Sequence, residues 1–311
     1  MPKRKVYRVR NWSEYNKALI QRGSINFWIS EDFIRKWKAI SKTGKRGRPQ
    51  DYADIAITSM LTIKAVFRLP YRGTKGFMES LVQWGGLPIE IPCYTTLCRR
   101  QQALVLDLPK VSNGGPLHVV IDSTGLKVFG EGEWKVRKHG YSKRRTWRKV
   151  HLAIDADSQG IEAMECTSND VADSEVLPSL LEQIESPLEQ VGADGAYDTH
   201  GTYAIIEKRG AKAVIPPRCN GKIKQHANNK SPPLARDQNI RAIRKHGLKK
   251  WKKQNGYHYR SLAETAMFRL KSIFGDQLSS RKFENQLIES IIKCRALNLM
   301  TGLGMPDSHA A

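Results

Sequence analysis

Residues 117–122 read LHVVID, and the fold of the chain turns on this run. It is short, apolar and rich in β-branched residues, which predicts a buried strand. Residues 150–155 (VHLAID) and 161–167 (IEAMECT) predict two more, joined by a turn at 157–160. Asp173 predicts the cap of a helix running to Ile184. Residues 188–193 predict a fourth strand, 199–209 a second helix, and 213–215 a fifth strand closed by Pro216-Pro217. The order β-β-β-α-β-α-β predicts an α/β fold: a mixed five-stranded sheet flanked by helices.

Upstream the period changes. In residues 51–106, Tyr52, Ala56, Met60, Ile63 and Phe67 recur at helical spacing, with Pro70 and Gly73 as stops. Thr74 predicts the cap of a second helix holding Phe77, Leu81 and Trp84, ended by Gly85-Gly86. A third helix, 94–104, has Tyr94, Leu97, Gln101 and Leu104 on one face and Thr95, Arg99, Arg100 and Gln102 on the other. The second face suits phosphates and base edges, as in the reading helix of a helix-turn-helix-like unit, although the connecting turns are longer than in the tight motif. An ordinary solvated face is the competing reading. Residues 110–116 read as a linker.

The division expected is therefore a basic N-terminal segment at 1–50, an all-helical, helix-turn-helix-like DNA-binding domain at 51–109, a linker at 110–116, an α/β domain at 117–304 and a tail at 305–311. A length of 311 residues suits two domains.

Charge narrows the function classes. The chain carries 52 Lys+Arg against 30 Asp+Glu, a formal +22. Such an excess attracts polyanions, nucleic acid first among them. Residues 218–256 hold twelve Lys/Arg and one acid, Asp237, half of the whole excess, and read as a basic insertion. Residues 135–149 add eight more basic residues, with Trp134 and Trp147 interleaved; these could stack on an unpaired base or simply pack. Arg46-Gly47-Arg48-Pro49 suits either a narrow minor groove or a solvated linker.

No stretch approaches the roughly 20 apolar residues of a membrane span. The basic start, MPKRKVYRVR, is followed by no apolar run of a secretory signal. The five scattered cysteines form neither a disulfide framework nor a CxxC zinc pair. His139 and His151 have no partners at metal-ligand spacing.

Acids are scarce, so their placement matters. Asp122 closes the first predicted strand and Asp194 follows the fourth, in Gly192-Ala193-Asp194-Gly195. If those strands are neighbours, both carboxylates emerge at one edge and can hold a hard divalent cation. Local hydrogen bonding accounts for Asp122 equally well, and an Asp-Gly turn for Asp194. Downstream, Tyr257, Arg260, Glu264 and Lys271 project within roughly 60° of one another on a continuous helix. Glu264 could then complete a metal site, with Tyr257, Arg260 and Lys271 on a phosphate backbone. The alternative is a capping box, Ser261-x-x-Glu264, in which Glu264 serves only a backbone N–H.

Tyr257-x2-Arg260-x3-Glu264-x6-Lys271 resembles the Tyr-Arg-Glu-Lys signature of bacterial insertion-sequence DDE transposases, in the insertion-sequence-five group. Asp122 in VVIDSTGLKVFG looks like that family's first acid and Asp194 in GADGAYD like its second. Residues 51–100 look like its N-terminal helical region, so nearly the whole chain is covered.

The resemblance implies an RNase H-like core in which the three leading strands are antiparallel and the fourth lies parallel beside the first. It implies a catalytic Asp122, Asp194 and Glu264 triad holding two Mg²⁺ ions, with Mn²⁺ as an alternative. It implies cleavage at transposon ends and transfer of the 3′-OH to target DNA without a covalent enzyme intermediate. DNA contacts are expected from Tyr257, Arg260, Lys271, Arg99 and Arg100. The expected partner is double-stranded DNA, both terminal inverted repeats and target. The expected setting is the bacterial cytoplasm at the nucleoid, with no membrane and a homodimer or larger assembly at synapsis. A stand-alone RNase H-like endonuclease and a non-catalytic DNA-binding derivative are the alternatives.

Overall fold

The computed structural model describes residues 7–29, 31–39, 51–111, 114–128, 147–225 and 232–310. Arg46-Gly47-Arg48-Pro49, Trp134 and His139 lie outside them. In chain order the elements begin with β1 (Tyr7–Val9), α1 (Trp12–Arg22), α2 (Ile25–Trp28), α3 (Glu31–Arg35), α4 (Asp54–Val66), α5 (Tyr71–Trp84) and α6 (Tyr94–Gln101). The sheet region follows: β2 (Leu117–Val128), β3 (Trp147–Asp155), β4 (Ile161–Ser168), α7 (Asp173–Glu182), β5 (Leu188–Gly192), α8 (His200–Lys208) and β6 (Lys212–Val214). Then come α9 (Ala235–His246), α10 (Leu248–Gln254), α11 (Ser261–Phe274), β7 (Gln277–Leu278), α12 (Phe283–Leu303) and β8 (Ser308–Ala310).

Two compact units result, Met1–Pro109 with Lys282–Ala311, and Lys110–Arg281. This departs from the expected boundary at 304. The last long helix, α12, packs on α4 and α1 of the helical unit instead of on the sheet. Ile288, Ile292, Leu297 and Met300 are buried on it. The expected tail also has a place, because β8 pairs antiparallel with β1. Asn11 fastens that end, donating to Met305 O at 2.9 Å and accepting from Asp307 N at 2.8 Å. The N-terminal 50 residues, read as merely basic, contribute α1 to α3. Trp37 is buried there, with its indole N–H on Glu90 O at 2.7 Å.

The three predicted helices of 51–106 are present as α4, α5 and α6. Pro70 begins α5 rather than ending α4, since its missing N–H and fixed φ suit a helix start. Gly73 lies inside α5. Leu97, Gln101 and Leu104 are buried, as the apolar face of α6 predicts. One region of this unit is polar yet buried. Lys64 of α4 lies within reach of Glu289 and Lys293 of α12, and burial pushes its ammonium below its ordinary pKa. Lys293 pairs with Glu289 at 3.4 Å.

In the second unit the strand order is β4-β3-β2-β5-β6, with the short β7 also against β2. β2, β3 and β4 are antiparallel; β5 and β7 run parallel to β2, and β6 parallel to β5. The five predicted strands and their order are those observed, in an RNase H-like arrangement. The two-residue β7 makes the sheet six-stranded; so short a strand has no periodicity to read. Leu117, Val119 and Ile121 of β2 join one core with Leu177, Leu180 and Leu181 of α7 and Ile206 of α8. By the period of two, Val120 and Asp122 take the opposite face, where α11 packs on β2 and β3.

Candidate active site

The first departure is the length of β2. Asp122 does not end the strand; it lies mid-strand, paired across from Leu152. Residues 123–127 go on because β3 continues to pair with them, as far as Lys127 against Trp147. Gly125 is needed there. A Cβ on it would stand 3.0 Å from the Trp147 ring, so Trp147 packs across the strand, and Lys127 lies 5.7 Å above its ring.

The parallel side explains why Asp122 is reachable. β5 pairs with β2 only as far as Val120 opposite Gly192, and β7 joins at Lys127. Between these two neighbours the edge of β2 has no parallel partner strand among the described residues. Asp122 is two residues past Val120, and Asp194 two residues past Gly192. The parallel register therefore carries both aspartates to one level on one face, at the point where the strands part. Asp194 Oδ1 accepts from Ala196 N at 2.9 Å and opens a 3₁₀ turn, Gly195–Tyr197, so the Asp-Gly turn reading holds as well.

Glu264 arrives from the other side. Gly256, at φ 65°, ends α10 in the left-handed region and turns the chain into a 3₁₀ turn, Tyr257–Arg260, that leads directly into α11. This turn packs on β2 and β5. The capping box does not form. Ser261 is itself helical, its hydroxyl donates to His258 O at 2.9 Å, and α11 has no side-chain cap. Arg260 and Glu264 stand one helical turn apart and pair through Nη2 and Oε1. The stripe is thus realised at Arg260 and Glu264. Tyr257 lies on the tighter turn, and Lys271 is about 10 Å beyond Glu264 along the helix. Lys271 acts electrostatically on Asp276, away from the acids.

Arg260 is the hub. Its Nη1 donates to Asp122 Oδ2 at 3.0 Å, while Asp122 Oδ1 accepts from Ser123 N at 2.8 Å. Burial raises the Asp122 carboxyl above its ordinary pKa; the Ser123 N–H and Arg260 oppose this, and Asp194 and Glu264 add to it. Asp122 therefore feels both other acids. Tyr257 is half-buried among the same groups, its hydroxyl pKa raised chiefly by burial, with Arg260 opposing and the three acids adding to the shift. Burial works against the Arg260 charge, but Tyr257, Glu264 and Asp122 outweigh it and raise its pKa.

Among the described residues, no three acidic, histidine or cysteine side chains stand close enough to hold a metal ion as they are. The guanidinium interposed between Asp122 and Glu264 is consistent with that spacing. The donor chemistry nevertheless fits a divalent cation: three carboxylates, all hard oxygen ligands, with Asp194 and Glu264 each within electrostatic reach of Asp122.

Sequence reading missed what holds this region in place. Asp198, four residues after Asp194, is buried and accepts from Arg236 Nε at 2.7 Å and Nη2 at 2.8 Å, and from Arg218 N at 2.9 Å. Asp237, the sole acid of 218–256, accepts from Lys224 N and Gln225 N, with Oδ2 2.7 Å from the latter. A lone acid inside a basic run was the signal available. These bonds fold the insertion, whose conformation the sequence left open, into the helices α9 and α10. Behind β2, His151 is buried with Nε2 at 2.9 Å from Thr167 Oγ1, and burial pushes its imidazole down to about 4. Its Nδ1 faces Asp173 at 3.8 Å, and Lys149 pairs with Asp173 at 3.1 Å. Asp173 is the first residue of α7 rather than its cap.

In the helical unit, Arg99 is exposed on α6, as a DNA-contacting side chain requires. Arg100 is committed internally: Nη1 donates to Tyr52 O at 2.9 Å and Nη2 pairs with Asp54.

An RNase H-like sheet with two aspartates at one level, and a glutamate on the helix laid over them, defines the class of site. Two family models, each described as a transposase DDE domain, match residues 20–131 and 113–299, the second spanning more than half of the chain. The chain belongs to this family: it is a DDE transposase of an insertion-sequence type, and such enzymes generally use divalent metal ions. A cryo-EM structure of the piggyBac transposase synaptic complex with hairpin DNA is similar at 10% identity. That match covers 91% of this chain and 73% of that chain at a TM-score of 0.41, too loose to bear on the site. No helix among the described residues is long and apolar enough to cross a membrane.

Proposed function

We propose that this protein is a transposase of the insertion-sequence-five group that cuts DNA at the ends of its element and joins the 3′-OH ends to target DNA. The observation that supports this reading best is that Asp122 and Glu264, from separate elements, meet on one arginine, with Asp194 within electrostatic reach of Asp122. Asp122, Asp194 and Glu264 would hold two Mg²⁺ or Mn²⁺ ions. Ions held there would supply Lewis-acid activation of water and charge neutralisation at the leaving oxygen.

The rest is the work of the chain's own groups. Asp122 is held at a fixed level by the Ser123 N–H, and Asp194 by the Ala196 N–H. Tyr257 and Arg260 stand beside the acids, where they would orient the scissile phosphate; Lys271, further along α11, would contact the backbone beyond it. The insertion extends that path. Arg241, Arg244, Lys245, Lys249, Lys250, Lys252 and Lys253 are exposed on α9 and α10, while Ile240 and Trp251 are buried. Their charge suits duplex phosphates and makes binding salt-dependent.

In the helical unit, residues 51–109 would form the end-binding domain, with Arg99 of α6 in contact with DNA. Arg100 would have to give up Tyr52 and Asp54 to join it. Two ends must be brought together, which supports a homodimer or larger assembly on terminal inverted repeats and target, in the bacterial cytoplasm at the nucleoid.

The test is cleavage of duplex DNA bearing the element's ends, with Mg²⁺, by the intact chain and by Glu264→Ala. Nicking at the ends that falls about 10³-fold in the variant, or about 4 kcal/mol in barrier, is the expected result. Equal cleavage by both removes Glu264 from the chemistry. Tight binding without cutting by either favours a non-catalytic DNA-binding role.

A further inference from the structure

We infer that Arg260 is a positioning residue that stands in for the cation when no divalent ion is bound, and that ion loading and DNA binding are coupled through its release. The inference rests on the reading that the three acids form the ion site.

Its ground is geometric. Asp122 lies on β2 and Glu264 on α11, and no backbone pairing joins them. The Arg260 guanidinium joins them, one terminal nitrogen on each carboxylate. Asp122 is otherwise held only by the adjacent amide of Ser123 among the described residues. Asp194 lies within electrostatic range of Asp122 but makes its hydrogen bond to Ala196 N. Two carboxylates share a single guanidinium and a third lies within electrostatic range of Asp122, so the group leaves the cluster short of positive charge. A planar fork suits this task, because it bridges two carboxylates without forcing them into contact.

The same geometry sets a competition. A divalent ion drawn to Asp122 and Glu264 would be set against the guanidinium charge already placed at Asp122 Oδ2 and Glu264 Oε1. Arg260 must leave as the ion enters, and like charge drives it away. A DNA phosphate is the acceptor that would take the departing group bidentately. Phosphate and ion then assist one another, and by linkage each raises affinity for the other by the same factor.

The experiment follows free Mn²⁺ by electron paramagnetic resonance during titration of full-length protein. It compares wild type, Arg260→Gln, Arg260→Lys and the double variant Asp122→Asn/Glu264→Gln, each with and without a duplex oligonucleotide. Thermal melting checks that each is folded. Without DNA, Arg260→Gln should bind Mn²⁺ about five- to fifty-fold more tightly than wild type, with Arg260→Lys between them. Duplex should tighten Mn²⁺ binding by wild type and change Arg260→Gln far less. If Arg260→Gln binds no more tightly than wild type while the double variant loses the ion, the stand-in role is wrong and the acid site survives. If the double variant binds as wild type does, or if none binds, the acids are not the ion site and both readings fall.

Discussion

Among the described residues, two aspartate–arginine pairs lie in the sheet unit, and they differ in every respect that separates scaffold from reactive site. Asp198 and Arg236 are buried, meet through two parallel bonds of 2.7 and 2.8 Å, and spend their remaining capacity on Arg218 N and Lys222 O. Asp237 also acts on Arg236, but as the smallest of the influences on it. Asp122 and Arg260 meet through one bond of 3.0 Å, remain partly open to solvent, and share the arginine with Glu264. Asp122 also has its proton affinity raised by burial and by two neighbouring acids. The first pair is complete in itself and ties the basic insertion to the turn after Asp194. The second is under-compensated, which is the condition of a place built to receive more positive charge.

The same substitution should separate the two. Asp198→Asn leaves a buried guanidinium facing an amide, and should cost the sheet unit about 3–5 kcal/mol in urea unfolding. Asp122→Asn loses a partly solvated pair but also relieves crowding among three acids, so its stability should stay within about 1 kcal/mol of wild type. Comparable losses in both would place Asp122 among the structural pairs.

A third ionisable region sharpens the comparison through pH. His151 pairs across the sheet with Ser123, next to Asp122, and is held neutral by burial, down to about 4 from 6.5, with Asp173 opposing the shift and Lys149 adding to it. The unfolded chain takes up this proton at higher pH than the folded one. Its contribution to stability is therefore complete above about pH 6.5 and falls as pH drops towards 4, by about 3 kcal/mol at most. Denaturant midpoints from pH 8 to 4 should fall more steeply in wild type than in His151→Gln. Parallel curves would assign the acid sensitivity to the carboxylates instead.

The smallest effect concerns the path by which Arg260 arrives. Gly256 is left-handed, and a Cβ there would stand 3.2 Å from the Tyr259 ring. Gly256→Ala should cost about 1 kcal/mol and loosen the Tyr257–Arg260 turn. Faster amide exchange at Arg260 and Ser261, with β3 and β4 unchanged, is the expected signature; exchange unchanged at the turn would mean that the turn is held by its packing on β2 and β5.

Much of this was legible from residue order. Buried strands such as LHVVID announce themselves by composition, and the alternation of strand and helix limits how five strands can be arranged. The acids were legible for a simpler reason: in a chain of formal +22, each carboxylate after a strand invites explanation. The spacing of Arg260 and Glu264 also survived, because i and i+4 are neighbours on any helix.

What failed in the sequence reading failed through non-local pairing. Asp122 looked terminal because the apolar run stops there, yet β3 carries the strand on to Lys127 and β7 pairs with Val128. α12 looked like part of the catalytic domain by adjacency, but it packs with α4 and α1 of the helical unit. Arg100 looked free for DNA on a helical wheel, which cannot show Tyr52 and Asp54 waiting for it. The sequence alone determined the five longer strands of the sheet, the three helices of residues 51–106 and which side chains carry charge, since periodicity and composition act over a few residues. Only the tertiary structure decided that Asp122 and Asp194 share a level and that Arg260 joins Asp122 to Glu264. Those facts depend on register between strands and on where a turn docks, and no window of neighbouring residues contains either.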